Sequence, residues 1–209
     1  VDHSITPRPL YRADGFKSFD VHTQPMHLRE EIKADLGDFP FHGFWGPKAG
    51  IASSNWIAES AKWTEEKHSP DLSLVYLPHL DYDLQRLGPN DPKISNALNE
   101  IDQVVGELIS FYEKRGIRLI ILSEYGITEV KNVIYPNRVF RNKGWLSIKD
   151  ELGLEYLDCG GSKAFTITDH QVAHIYLQDE SPSFRKEVRN CLESMEGVEK
   201  ILEGESRKE

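Results

Sequence analysis

Apolar positions along this chain recur with two different periods, and the alternation between them predicts an α/β fold. The run Leu74-Val75-Tyr76-Leu77 is apolar on both faces. Over Leu72–Leu77 it reads as a strand buried within a parallel sheet, ended by Pro78. The run Ile117-Arg118-Leu119-Ile120-Ile121-Leu122 reads as a second strand of the same kind. Between them Ile94, Leu98, Ile101, Val105, Leu108 and Tyr112 recur at spacings of three and four, which predicts a helix over Pro92–Arg115. Asp91 is its N-cap, Pro92 its first residue and Gly116 its stop. A strand, a long crossover helix and a second strand favour a parallel pair. The expected architecture is therefore a mainly parallel sheet flanked by helices.

The same reading places the other elements. Val1–Asp20 is expected to be irregular, because Pro7, Pro9 and Gly15 interrupt any period. Helices are predicted over Pro25–Leu36 and Ser54–Lys67, the second capped by Ser53 or Ser54, with a loop rich in Phe, Gly and Pro between them. A helical turn is predicted at Asn137–Lys143, and strands at Ala164–Thr168 and Val172–Leu177. Ser181-Pro182 opens a helix to about Met195, with Phe184, Val188, Cys191 and Leu192 as its apolar stripe. A tail over Glu203–Glu209 is expected to fray. The chain reads as a single α/β domain or fragment over 1–209: an irregular and helical lead-in (1–50), a core (51–178), and a C-terminal helix with its tail (179–209).

Composition narrows the partners. With 25 Lys and Arg against 34 Asp and Glu, the net charge is −9, which argues against a surface for extended nucleic acid. A small anionic substrate stays possible, because a bound cation inverts the local field. Cys159 and Cys191 are too few for a disulfide framework and favour free thiols in a reducing, cytoplasmic compartment. No apolar run approaches the roughly 20 residues of a membrane-spanning helix. The chain begins at Val1 rather than Met, as expected of a processed product or an excised piece.

In a parallel α/β sheet, function gathers beyond the C-terminal ends of strands. The first predicted strand is followed by His79, Asp81 and Asp83, the second by Glu124 and Tyr125. A third cluster holds Asp169, His170 and His174. Carboxylates and imidazoles together suit a divalent metal such as Zn²⁺ or Mn²⁺. His79 and Asp81 stand two residues apart, so on an extended segment both face one side. Each candidate also has a structural reading: Asp81 and Asp83 as loop or capping residues, Glu124 in an ion pair, His174 in the core, His79 and His170 as surface imidazoles. Phe41, Phe44 and Trp45 suit either a core or a wall for stacking a substrate.

The stretch from Tyr76 to Pro89, with Asp81 at its centre, resembles the motif Y-L-x-x-x-D-x-x-x-H-x-x-G-P of the type I phosphodiesterase/nucleotide pyrophosphatase family, in the alkaline phosphatase superfamily. Leu122-Ser123-Glu124-Tyr125-Gly126-Ile127 resembles that family's strand end S-D-H-G-M, at the expected distance. Gly197-Val198-Glu199 resembles a further, shorter pattern. The resemblance implies an alkaline-phosphatase-like fold, incomplete in this chain, and a two-metal site for in-line displacement at phosphorus. Carried over by position, Asp81 matches a carboxylate ligand, Gln85 falls where the family has His, and Glu124 and Tyr125 fall where it has Asp and His. Gln85 and Tyr125 are thus divergent ligand positions, and His79, His170 and His174 are the candidates to assist Asp81 and Glu124. The family's nucleophile is expected upstream, outside this segment. Ser53 and Ser54 are read as capping residues.

These readings converge on a metal-dependent hydrolase of phosphate esters or nucleotides. The alternative is a non-catalytic binding or scaffold domain that keeps the fold around a degenerate metal site. A phosphatase or phosphoethanolamine-type transferase on the same fold is a third possibility.

Overall fold

The computed structural model describes residues 1–208, and by internal contacts the chain forms two compact units, Val1–Val130 and Lys131–Glu209. The first unit opens with an antiparallel hairpin, β1 (Ser4–Tyr11) against β2 (Lys17–Gln24), paired from Ser4↔Gln24 to Tyr11↔Lys17. The expectation of irregular chain here is overturned, and the prolines explain how. Pro7 and Pro9 lie two apart, opposite Val21 and Phe19. Both ring nitrogens can therefore face the side of β1 that has no partner strand, where a missing N–H costs nothing.

Helix α1 (Leu28–Leu36) follows, and the hairpin is fastened to it by charge. Arg29 Nε donates to Asp20 at 3.0 Å, a second guanidinium nitrogen of Arg29 also reaches Asp20, and Lys33 lies 3.3 Å from it. Burial works against the ionised form of Asp20. Hydrogen bonds from Arg29, the Val21 N–H and Lys33 outweigh it and hold the carboxyl below the usual carboxylate range. Val21, Leu28 and Ile32 then bury against Phe39, Phe41, Phe44, Trp56 and Trp63. Trp56 and Trp63 donate their indole N–H groups to the Gly37 carbonyl and to Asp35. Phe41 and Phe44 are thus core residues, while Trp45 stays 44% exposed.

Helix α2 (Ile51–His68) starts earlier than expected, with Gly50 as its N-cap. Ser53 and Ser54 are buried inside its first turns, so neither caps it. Helix α3 (His79–Leu87) occupies a stretch expected to be extended, and α4 (Ile94–Glu113) matches the predicted crossover helix. The buried stripe of α4 runs through Ala97, Ile101, Val104, Leu108 and Tyr112, a small rotation from the predicted stripe, leaving Leu98 exposed.

The expected pair of parallel strands is not formed. Among the described residues the sheets are three antiparallel pairs, and neither 72–77 nor 117–122 belongs to one; the Ile117 N–H donates back to the Tyr112 carbonyl. The period of two is nonetheless visible in the packing of 72–77 and 117–120, beyond which Ile121 and Leu122 are both exposed. Val75, Leu77, Ile117 and Leu119 pack on the apolar cluster of α2 and α4. Leu72, Leu74, Tyr76 and Ile120 project outward, with Leu74 90% exposed. An apolar run specifies an extended, half-covered segment, but not which strand completes it.

The second unit contains α5 (Pro136–Asn142), the hairpin β3 (Ser147–Glu151)–β4 (Leu154–Asp158), the hairpin β5 (Ala164–Asp169)–β6 (Val172–Leu177), and α6 (Pro182–Glu193). Ser181 caps α6, its hydroxyl accepting the Phe184 N–H. Phe140, Trp145, Ala164, Phe184, Val188, Cys191 and Leu192 form one core. Residues 204–208 form a 3₁₀ turn, and Glu209, the end of the expected frayed tail, lies outside the described residues.

Two measurements test this account. Asp20→Asn should cost about 2 kcal/mol in urea unfolding at neutral pH, the scale of hydrogen bonds to a charged group. Because the folded carboxyl lies below its unfolded value near 3.8, the stabilisation is complete above that value and is lost as pH falls through the lower folded one. Mutant and parent should therefore converge in acid, and a gap that does not narrow as the pH is taken progressively below 3.8 would refute the assignment. Secondly, the outward apolar faces should bind a hydrophobic dye. Leu74→Lys with Ile121→Lys should lower dye fluorescence while leaving helical circular dichroism intact.

Candidate active site

Asp81 sits in the first turn of α3, where a carboxylate is favoured by the exposed N–H groups. Gln85 lies four residues on, hence on the same helix face. Its Nε2 donates to Asp81 Oδ2 at 2.8 Å. Tyr125 arrives from the end of the 117–122 run, its turn held by Ser123 Oγ donating to the Tyr125 carbonyl at 2.7 Å. The Tyr125 hydroxyl donates to the other oxygen, Asp81 Oδ1, at 2.8 Å. Three of the positions singled out by the motifs therefore meet in one hydrogen-bonded cluster.

Negative charge accumulates around it. The Tyr125 phenol is pushed up to about 12, first by its hydrogen bond to Asp81, then by burial and the charges of Asp81 and Glu124. The Tyr76 phenol is raised by burial and then by the same two carboxylates. The Tyr82 phenol is raised by burial and then by Asp81. Glu124 is thus within electrostatic reach of the cluster. Tyr76 and Tyr82 were not selected from the sequence, although both lie inside the Tyr76–Pro89 motif. Asp83 is taken by Arg86, which also donates to the Pro47 carbonyl at 2.8 Å.

The histidines are placed differently. His79 opens α3, so it and Asp81, two apart on a helix, point to different faces, and the shared face expected of an extended segment is lost. His79 is buried, with Nε2 2.9 Å from Glu100 on α4 and Nδ1 without a partner. His170 and His174 belong to the second unit. His170 stands at the β5–β6 turn with φ +53°, its Nδ1 2.6 Å from Asp169. His174 is on β6, opposite Ile167.

Tyr125 of the second motif joins the Tyr76–Pro89 motif at Asp81, and the family model described as type I phosphodiesterase / nucleotide pyrophosphatase matches residues 1–203. The chain belongs to this family. Membership implies an alkaline-phosphatase-like α/β fold and a generally metal-dependent chemistry, with Zn²⁺ or Mn²⁺ as the usual ions. Among curated proteins, an uncharacterized pyrophosphatase/phosphodiesterase of Schizosaccharomyces pombe is 35% identical over 81 residues, covering 36% of this chain and 17% of that protein. No solved structure matches.

The residues present do not fit the metal that the family implies. Both oxygens of Asp81 are engaged by neutral donors, and a carboxylate only accepts, so those donors must be the Gln85 amide N–H and the Tyr125 O–H. Gln85 offers no charge, and Tyr125 holds its proton tightly. Among the described residues no three of His, Cys, Asp and Glu converge in a metal-holding arrangement.

A double-mutant cycle of Asp81→Ala and Tyr125→Phe should show coupling of about 0.5–1 kcal/mol in urea unfolding. The value sits at the low end because the phenol is half exposed and water competes for it. Additivity within experimental error would remove the bond.

Proposed function

We propose that the protein hydrolyses phosphate esters, of the phosphodiester or pyrophosphate type, on a small molecule such as a nucleotide. The observation that carries this reading is the convergence of Asp81, Gln85 and Tyr125 at the motif positions of a phosphodiesterase family that matches nearly the whole chain. The net charge of −9 favours a small substrate over a nucleic-acid strand. Phosphoryl transfer requires a positioned hydroxyl and stabilisation of the developing charge. Ser53 and Ser54 are too buried to attack, and Ser53 Oγ donates to the Gly50 carbonyl. The attacking hydroxyl in this reading comes from outside this segment. In this reading Asp81 positions the phenol of Tyr125 and the amide of Gln85 at the rim of the site.

A second reading, a family domain that binds without catalysing, is favoured by the amide and phenol that stand at ligand positions. Hydrolysis of a chromogenic phosphodiester by the intact protein separates the two, assayed with and without added Zn²⁺ or Mn²⁺. The hydrolase reading expects turnover, reduced at least about tenfold by Asp81→Asn, on the order of 1.4 kcal/mol in the barrier. Absence of turnover under every condition supports the non-catalytic reading. Turnover unaffected by Asp81→Asn would mean that the site lies elsewhere.

A further inference from the structure

Of the four ligand positions that the resemblance implies, Asp81 alone keeps the family's residue, yet its surroundings suit a hydrogen-bond acceptor rather than a metal ligand. We propose that Asp81, Gln85 and Tyr125 form a metal-free clamp, in which two neutral donors engage both oxygens of the carboxylate and tie helix α3 to segment 123–126. The proposal goes beyond the activity above and does not depend on turnover.

Chemistry leaves little freedom in the arrangement. With the carboxylate able only to accept, Gln85 must turn its nitrogen toward Asp81 and hold its carbonyl oxygen away. Tyr125 must keep its hydroxyl proton, because a phenolate facing a carboxylate would be repelled. A cation at a remaining lone pair of Asp81 would meet protons on both neighbours and gain no ligand from either as they stand. Gln85 would have to reverse its amide and Tyr125 would have to ionise. What remained would be two carboxylates, Asp81 and Glu124, short of the four donors of a closed Zn²⁺ site. His79 points to a different face of α3, with its Nε2 engaged by Glu100.

The clamp also has a mechanical role. Asp81 and Tyr125 are 44 residues apart in sequence. Their bond crosses from the start of α3 to the end of the second extended run, and Gln85 fixes the rotamer of Asp81 from within the helix. Restoring imidazoles at both donor positions should convert the clamp into a metal site, since imidazole nitrogens supply lone pairs where the amide and phenol supply protons.

The test measures metal content and thermal stability of the intact protein after dialysis against micromolar Zn²⁺ or Mn²⁺, followed by removal of excess ion. Parent, Asp81→Asn, and Gln85→His with Tyr125→His are compared, the last also with Asp81→Asn added. The expected result is equal metal content in parent and Asp81→Asn, and an equal shift in Tm on adding the ion. The double-histidine variant should gain about one ion per chain and lose it when Asp81→Asn is added. One ion per chain in the parent that disappears in Asp81→Asn overturns the proposal. So does a double-histidine variant with unchanged circular dichroism that gains no ion, since Gln85 and Tyr125 would then not be what excludes it. Neither readout involves hydrolysis, so failure here is distinct from failure of the hydrolase reading.

Discussion

The apolar stripe of α4 organises the first unit. Val75 and Leu77 lie on the cluster it forms with α2, and so do Ile117 and Leu119. Burying alternate side chains of both extended runs against one helical surface sets where each run ends. Those ends are Pro78, which leads into α3, and Ser123, which leads into Tyr125. The meeting of Asp81 with Tyr125 follows from that packing, because one directional hydrogen bond cannot by itself bring together chain segments 44 residues apart against the entropy of loop closure.

Around that meeting point the electrostatics are one-sided. Two carboxylates, Asp81 and Glu124, act on the phenols of Tyr76 and Tyr125, and the phenols respond by holding their protons. Proton donors are thereby gathered about Asp81 where metal chemistry would need lone pairs. The same backbone geometry, with imidazoles at two positions, would present acceptors instead. The difference between a ligand set and a hydrogen-bonded clamp rests on which side-chain atoms carry hydrogen, while the helix spacing of Asp81 and Gln85 serves either.

Several features were legible in the residues. The helical period of 94–113, the Ser181-Pro182 cap of α6 and the two hairpin strands β5 and β6 follow from local patterns and local chemistry. The motif around Asp81 pointed to the family that the profile match then identified. The β1–β2 hairpin was hidden because prolines argue against strands in general, and only a two-stranded ribbon with one free side accommodates them. Helix α3 was hidden because a strand end followed by polar residues reads as a loop. The four-residue spacing of Asp81 and Gln85 was its available signal.

Sequence alone determined the helical period of 94–113, the cap that opens α6, the strands β5 and β6, and which residues bear charge, because each depends on neighbouring residues or side-chain identity. Tertiary structure decided the rest. It paired the strands into antiparallel ribbons, left one face of each apolar run uncovered, turned His79 toward Glu100, and gave Asp81 two neutral donors. These outcomes depend on contacts between residues distant in the chain, and the period of a pattern shows which face is apolar without naming what it meets.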